Sequence, residues 1–464
     1  MADTLTIPLR STQDKDLYRL LNWFACWLVL PNLPFLPMTL MGGPPRGFEI
    51  LICGIVGLVV RGMNFWVRLL TFISLLVWLT VMFIAHMFNM APSMIMSVIV
   101  FVTDIRPAVA PDYVAGAILL ALTIAMASWA LKLDSGFKGW RFQLYACSAI
   151  ALLTVTDLQY SQDAMGSYHR LAPADAPFSS ASSQSGLLGL ADGKTNIMLV
   201  VVEAMGEPRD PQLKAQLDQI WMRPELASRY EVIRGQTPFY GSTTSGEMRE
   251  LCHRWGDYTA ITKAEPGCLP ALMAAKGYQT ASYHPFTGRF FDRTRWYPLI
   301  GFQQLNFEKQ LERKGASKCP SVFSGACDRD VPGIIGNEMK QPGKPHFSYW
   351  LTLNSHLPVV ENDELHTKDC KAIGAAESAD FPMVCRLFAI WHNTADALIA
   401  EATKPDFPPT HILIVGDHMP PFTHQPSRLK FDSEHVPWIL LRYKQGRTGN
   451  APVESQSVPV PPLR

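Results

Sequence analysis

The residues of this chain best suited to chemistry are a hydroxyl cluster, Gly241-Ser242-Thr243-Thr244-Ser245-Gly246-Glu247, and acidic and imidazole groups far from it in sequence, Glu203 and the pair Asp417-His418. Small residues around Thr243 let the backbone turn sharply and hold a hydroxyl out toward a ligand, and Glu247-Met-Arg-Glu-Leu-Cys252 reads as a helix start. A threonine oxygen is a weak nucleophile near neutral pH unless a base or a metal ion activates it. Glu203, Asp417 and His418 are oxygen and nitrogen ligands of the kind that suit Zn or Mn. Singly, each has a plain reading: Ser/Thr/Gly clusters are usually loops, a strand-end carboxylate is commonly a helix N-cap, and an Asp-His pair in a turn is commonly solvated. Chemistry requires that the fold bring them to one place.

The elements that would do so are legible. Asn196-Ile-Met-Leu-Val-Val-Val202 is a continuous apolar run rich in β-branched residues, the signature of a strand covered on both faces. Similar runs lie at 230–233, 280–283, 346–353, 411–415 and 436–441, with helical stretches between them. Strands alternating with helices predict an α/β domain. In open parallel sheets ligands gather at the carboxyl ends of the strands. Glu203 ends the first run, His356 follows Tyr-Trp-Leu-Thr-Leu-Asn-Ser355, and Asp417-His418 follow Ile-Leu-Ile-Val-Gly416.

The first third of the chain is of another kind, so the overall 48% hydrophobic content averages two unlike parts. A bilayer core needs about 20 apolar residues per helix. Five spans are predicted, near 18–38, 47–63, 67–88, 113–132 and 142–160, with the Met-rich stretch 89–105 as an interfacial or re-entrant helix. Arg10, Lys15, Arg19, Arg61, Arg68, Lys132, Lys138 and Arg141 then fall on one side, against Arg46 and Arg106 in the short loops of the other. The positive-inside rule predicts a multi-pass bacterial inner-membrane protein with a cytoplasmic N-terminus, a retained first span and everything after residue 160 periplasmic or extracellular. The expected division is a transmembrane domain over 1–160, an extended low-complexity linker over 161–194 and an external catalytic domain over 195–464.

Cysteine usage agrees with that topology. Cys26, Cys53 and Cys147 sit in apolar spans, whereas Cys252, Cys268, Cys319, Cys327, Cys370 and Cys385 lie outside, an even number suited to an oxidising compartment. Pairing 252 with 268, 319 with 327 and 370 with 385 makes the shortest loops, although six cysteines allow 15 pairings. The balance of 41 basic against 40 acidic residues gives no footprint for nucleic acid.

Taken in order, these positions resemble the alkaline phosphatase and sulfatase superfamily, and within it the membrane-anchored transferases of the lipoteichoic acid synthase and phosphoethanolamine transferase type. The resemblance rests on Val-Val-Val-Glu203, on Gly241-Ser-Thr243 followed by Glu247, on His284-Pro-Phe-Thr-Gly-Arg-Phe-Phe-Asp-Arg293, on Thr352-Leu-Asn-Ser-His356-Leu-Pro358 and on Gly416-Asp417-His418. It implies an alkaline phosphatase-like α/β domain with a mostly parallel central sheet behind the helical bundle. It also implies one divalent metal ion, Zn or Mn, bound by Glu203, Thr243, Asp417 and His418, with Thr243 as nucleophile. His356, His284 and Arg293 would contact the phosphoryl and head groups, with Phe290 or Phe291 as the aromatic of the third motif. Thr244 stands beside Thr243 as the other candidate nucleophile, and Glu247 is read as a spacing marker at a helix turn rather than a ligand. The Cys-x-Pro-x-Arg motif of sulfatases is absent, and only one metal's worth of ligands is evident.

The implied activity is transfer of a phospholipid head-group phosphate, phosphoethanolamine or glycerol phosphate, through a phosphothreonine. The implied partners are a membrane phospholipid donor, a polysaccharide, glycan or lipid acceptor, and other proteins of envelope biosynthesis. Two alternatives use the same residues: a phosphodiesterase that hydrolyses the head group, and a non-catalytic metal-binding partner in envelope assembly.

Overall fold

The computed structural model describes residues 12–87, 111–161 and 171–444. The expected interfacial helix at 89–105 lies outside the described residues.

Seven strands form the central sheet: β1 (Asn196–Val202), β2 (Tyr230–Pro238), β3 (Gln279–Tyr283), β4 (Gln304–Asn306), then β7 (His346–Leu351), β8 (Thr410–Gly416) and β9 (His435–Tyr443). Between them, β5 (Lys318–Cys319) and β6 (Gly325–Ala326) make a separate two-stranded hairpin. The sheet order is β2-β9-β8-β1-β7-β3-β4. It is parallel throughout its β8-β1-β7-β3-β4 part, and β9 runs antiparallel to both β2 and β8. All six apolar runs read from the sequence are strands. β4 escaped notice because three residues at a sheet edge, two of them half-buried, leave no pattern.

Burial explains the composition of the central strands. Every residue of β1, β7 and β8 is buried, which accounts for the unbroken apolar runs within β1 and β8. Four named helices flank or lead into this sheet: α6 (Pro211–Trp221), α7 (Thr243–Cys252), α8 (Arg293–Leu299) and α9 (Pro382–Ala402). Helix α9 buries Leu387, Phe388, Trp391, Leu398 and Ile399 against the core. Three disulfides join Cys252 to Cys268, Cys319 to Cys327 and Cys370 to Cys385, the pairing that makes the shortest loops.

The N-terminal part is helical, with α1 (Thr12–Phe24), α2 (Gly47–Val60), α3 (Phe65–Met87), α4 (Pro111–Ala130) and α5 (Trp140–Tyr160). Helix α1 continues through a π turn, a 3₁₀ turn and a last α turn to Leu40, accommodating Pro31, Pro34 and Pro37 by changes of winding rather than by a break. The expectation of five spans is not supported. Among the described residues, two helical segments, Asp14–Leu40 and Phe65–Met87, are long and apolar enough to cross a bilayer. Helix α2 has 14 residues, about 21 Å at 1.5 Å per residue and short of a core of about 30 Å. Helix α5 is diluted by Arg141, Gln143, Asp157 and Gln159. Apolar helices exist where the sequence placed them.

The linker reading also changes. Ser180 caps a short helical turn, Ala181–Gln184, and Ala181 and Leu187 are fully buried in the core of the sheet domain. The Glu250 carboxylate accepts hydrogen bonds from the Ala181 and Ser182 amides at 3.1 and 2.8 Å, and Trp438 donates to Gln184 at 2.7 Å. Small residues that look like low complexity in sequence fit closely against the fold here, so this stretch is not an extended tether.

Candidate active site

The parallel register brings the chemistry together. β1 lies between β7 and β8, with Val201 opposite Leu351 and Val202 opposite Gly416, so the next residues along all three strands emerge at one edge. The Asp417 amide donates to the Val202 carbonyl at 3.3 Å, and the Thr352 amide to the Val201 carbonyl at 3.0 Å. A Cβ on Gly416 would lie 1.8 Å from the Met205 carbonyl oxygen, so glycine is required where β8 passes that chain. Ala204 adopts a left-handed φ of 56°, and its amide reaches Asp417 Oδ1 at 2.8 Å. Backbone held in this region is commonly associated with functional sites.

Helix α7 starts at Thr243 rather than at Glu247, so the candidate nucleophile occupies a helix N-terminus, where peptide dipoles favour an anion such as a phosphoryl group. Thr243 Oγ1 lies 3.1 Å from Glu203 Oε2 and 3.3 Å from His418 Nε2. His418 Nε2 is also 3.5 Å from Glu203 Oε1 and 3.4 Å from Asp417 Oδ2. Thr244 is completely buried and its hydroxyl lacks a partner, which separates it from this group.

The electrostatics of the cluster call for a cation. Burial raises the Glu203 carboxyl, and burial together with the Glu203 charge pushes Asp417 up to about 7. Burial disfavours the charged form of His418, but the two carboxylates outweigh it and raise its affinity for a proton. Asp417 Oδ1 accepts from the Ala204 and His418 amides, whereas the buried Oδ2 has no hydrogen-bond partner. His418 directs Nδ1 to the Met419 carbonyl at 2.8 Å, which orients Nε2 toward the cluster. One ligand atom from each of Glu203, Asp417 and His418 lies within 4.8 Å of the others, so this donor set fits a single divalent ion.

The surrounding shell explains motifs that the sequence could only match. Thr352 and Ser355 clamp Glu203: its amide donates to Thr352 Oγ1 at 2.9 Å, and Ser355 Oγ donates to its carbonyl at 2.7 Å. Asp328 accepts from the Leu353 and Asn354 amides, and Asn354 Oδ1 accepts from the Asp328 amide at 2.8 Å. This buried knot fixes the turn that leads to His356. Arg249 donates to the Gly416 and Asp417 carbonyls at 2.6 and 3.0 Å and pairs with Glu250, so α7 grips the end of β8.

His356 turns Nδ1 toward the Leu357 carbonyl at 2.8 Å, and burial, with the nearby His418, lowers its pKa to about 4. His284, just past β3, turns Nδ1 toward the Leu351 carbonyl at 3.1 Å and is held well below its usual pKa by burial and by Arg293. Both imidazoles are therefore neutral near pH 7. Arg293 is 1% exposed and bound to Glu247, with Nη2 to Oε2 at 2.8 Å and Nε to Oε2 at 3.1 Å. Tyr297 and Tyr349 donate to the other oxygen of Glu247. Glu247 is thus the buried anchor of Arg293, not a spacing marker at a turn. Arg249, Asp328 and Glu250 were likewise missed, because a charged residue on a short helix or in a loop has no sequence signal for burial.

The sequence pattern of the Sulfatase family matches residues 195–456, more than half of the chain. The chain belongs to the sulfatase family. A protein named for cyclic beta-1,2-glucan modification in Rhizobium meliloti (strain 1021) is 27% identical over 244 residues, 49% of this sulfatase-family chain. The match covers 36% of that relative's length. Among solved structures, the integral membrane lipooligosaccharide phosphoethanolamine transferase EptA from Neisseria meningitidis covers 92% of this chain and 88% of its own at 12% identity and TM-score 0.48. The lipoteichoic acid synthase LtaP from Listeria monocytogenes aligns with 57% of this chain and 72% of its own at 14% identity and TM-score 0.38. Phosphoglycerol transferase GacH from Streptococcus pyogenes aligns with 58% and 77% at 16% identity and TM-score 0.36.

Proposed function

We propose that this protein transfers the head-group phosphate of a membrane phospholipid, phosphoethanolamine or glycerol phosphate, to an envelope glycan or lipid by way of a phosphothreonine at Thr243. The observation that carries the reading is the Thr243 hydroxyl at a helix N-terminus, 3.1 Å from Glu203 and 3.3 Å from His418, in a family whose pattern spans this domain. Glu203, Asp417 and His418 would hold one divalent ion, Zn or Mn, whose Lewis acidity lowers the cost of negative charge on the threonine oxygen.

Thr243 Oγ1 gives up its proton and attacks phosphorus, the bond from phosphorus to the diacylglycerol oxygen breaks, and that oxygen takes up a proton and leaves as the alcohol. In the second half an acceptor hydroxyl attacks the phosphothreonine, loses its proton, and returns Thr243 as a hydroxyl, a ping-pong sequence. His356, neutral with Nδ1 directed to the Leu357 carbonyl, presents Nε2 as a proton acceptor for the incoming hydroxyl. Arg293, held by Glu247, supplies positive charge near the phosphoryl group, and His284 lies at the same strand edge. The name of the Rhizobium relative favours a glycan acceptor. The reading includes an inner-membrane location with the catalytic domain, taken as residues 195–464, on the periplasmic face.

The test is mass spectrometry of the full-length, metal-loaded protein after incubation with mixed phospholipids. A head-group mass on the peptide containing Thr243, removed when an oligosaccharide acceptor is added and recovered on that acceptor, is the expected result. No adduct on that peptide overturns the mechanism, and release only as free head-group phosphate identifies a hydrolase.

A further inference from the structure

Outside the metal cluster, the group with the least obvious purpose lies where the N-terminal helices meet the sheet domain. Arg46 precedes α2, Glu49 is in its first turn, His86 is in the last turn of α3, and Asp157 is in the last turn of α5. Arg46 and Glu49 are only 4% and 2% exposed. Nε and Nη2 of Arg46 are buried without a hydrogen-bond partner, and its guanidinium carbon lies 3.8 Å from the Phe35 ring centre. Glu49 Oε1 is also buried without a hydrogen-bond partner, with His86 Nδ1 3.5 Å away. Asp157 Oδ2 accepts from the Arg46 amide at 2.6 Å, tying α5 to the start of α2.

Two opposite charges buried among apolar helices, each with unused hydrogen-bonding atoms, are costly unless something pairs with them. Their chemistry points to one kind of ligand. A guanidinium with free donors suits a phosphodiester, and carboxylates suit a cation that offers N–H donors. A head group carrying both charges a few ångströms apart uses all of them, whereas a glycerol head group offers nothing cationic to Glu49 and Asp157.

The junction is also tied to the sheet domain. The loop that runs into Arg46 is bound to the segment after Asp417-His418: the Gln425 amide donates to the Met41 carbonyl at 3.2 Å, and Arg428 Nη2 donates to the Gly42 carbonyl. Ala85, beside His86, is buried in the core of the sheet domain. We propose that Arg46 and Glu49, with Asp157, bind the zwitterionic head group of an ammonium-bearing phospholipid at the junction of α2, α3 and α5. This deepens the reading of a phospholipid donor, and rests on it, by naming the donor class.

The test reads binding without turnover. Full-length Thr243→Ala protein is equilibrated in detergent with equal amounts of phosphatidylethanolamine and phosphatidylglycerol, and retained lipid is weighed by native mass spectrometry. Phosphatidylethanolamine should be retained in preference, and Arg46→Ala or the isosteric Glu49→Gln should lower that retention about tenfold. Equal retention of both lipids, or retention unchanged in a Glu49→Gln variant of normal melting temperature, overturns the proposal. If retention behaves as stated but the unsubstituted protein forms no Thr243 adduct, the transferase reading fails while the binding site stands.

Discussion

At the scale of single residues, Thr243 and Thr244 show how little sequence distance it takes to change a hydroxyl's prospects. One is drawn toward Glu203 and His418, and its neighbour is sealed in the core with its oxygen unpartnered. Thr243→Ala should therefore lower head-group transfer by at least about a thousandfold with the fold kept, whereas Thr244→Val should leave most of it, as measured by transfer from labelled phospholipid. Similar losses from both variants would remove Thr243 from its role. A second expectation concerns Glu247, whose carboxylate answers the only charge of a fully enclosed Arg293. Glu247→Ala leaves that guanidinium buried and unpaired, so a loss of about 3–5 kcal/mol is expected, read as a fall in melting temperature. The conservative Glu247→Gln should fall between the two.

At the scale of elements, the turn after β7 is fixed from behind by Asp328, the acceptor for the Leu353 and Asn354 amides. Burial pushes this carboxyl up to about 7 despite those bonds. A folded pKa raised above the unfolded value near 4 means that the folded chain holds the proton more tightly, so this group's contribution is fully present below pH 4 and is lost as pH rises through 7. Asp328→Asn does not titrate. The wild-type melting temperature should therefore exceed that of the variant by the largest margin near pH 4–5, the margin shrinking toward pH 8. A margin that grows with pH would mean that the carboxyl is ionised in the fold. Because Leu353 and Asn354 lead into His356, the variant should also lower transfer at pH 7 more than its melting temperature explains.

At the scale of the whole molecule, the helical part and the sheet domain are joined by specific contacts, Arg428 to Gly42 and Gln425 to Met41, in the segment that follows the candidate metal ligands Asp417 and His418. Stretch 181–190 belongs to the sheet domain's core, so the informative truncation begins at residue 171. That shortened chain should act on short-chain soluble donors at a rate similar to the full chain, and on intact bilayer lipid at least about tenfold more slowly, since tethering raises the local concentration of donor. Equal rates on vesicles would show that the helices do not present the donor.

Much of this molecule was written locally. Unbroken β-branched runs such as 196–202 can be little other than buried strands, and acids and histidines at their carboxyl ends announced the edge where a ligand would gather, because side-chain chemistry and strand periodicity are local properties. The pairing of all six cysteines of the sheet domain also followed the shortest loops. What one dimension could not supply was partnership. The strand order that sets β1 between β7 and β8 brings Glu203 and Asp417 together across more than 200 residues. Only that packing decided that Glu247 holds Arg293, that Asp328 holds the His356 turn, and that a Ser/Ala-rich stretch is core. Burial and long-range contact arise from the whole chain's packing, and a charged residue carries no local mark of the cavity it will fill.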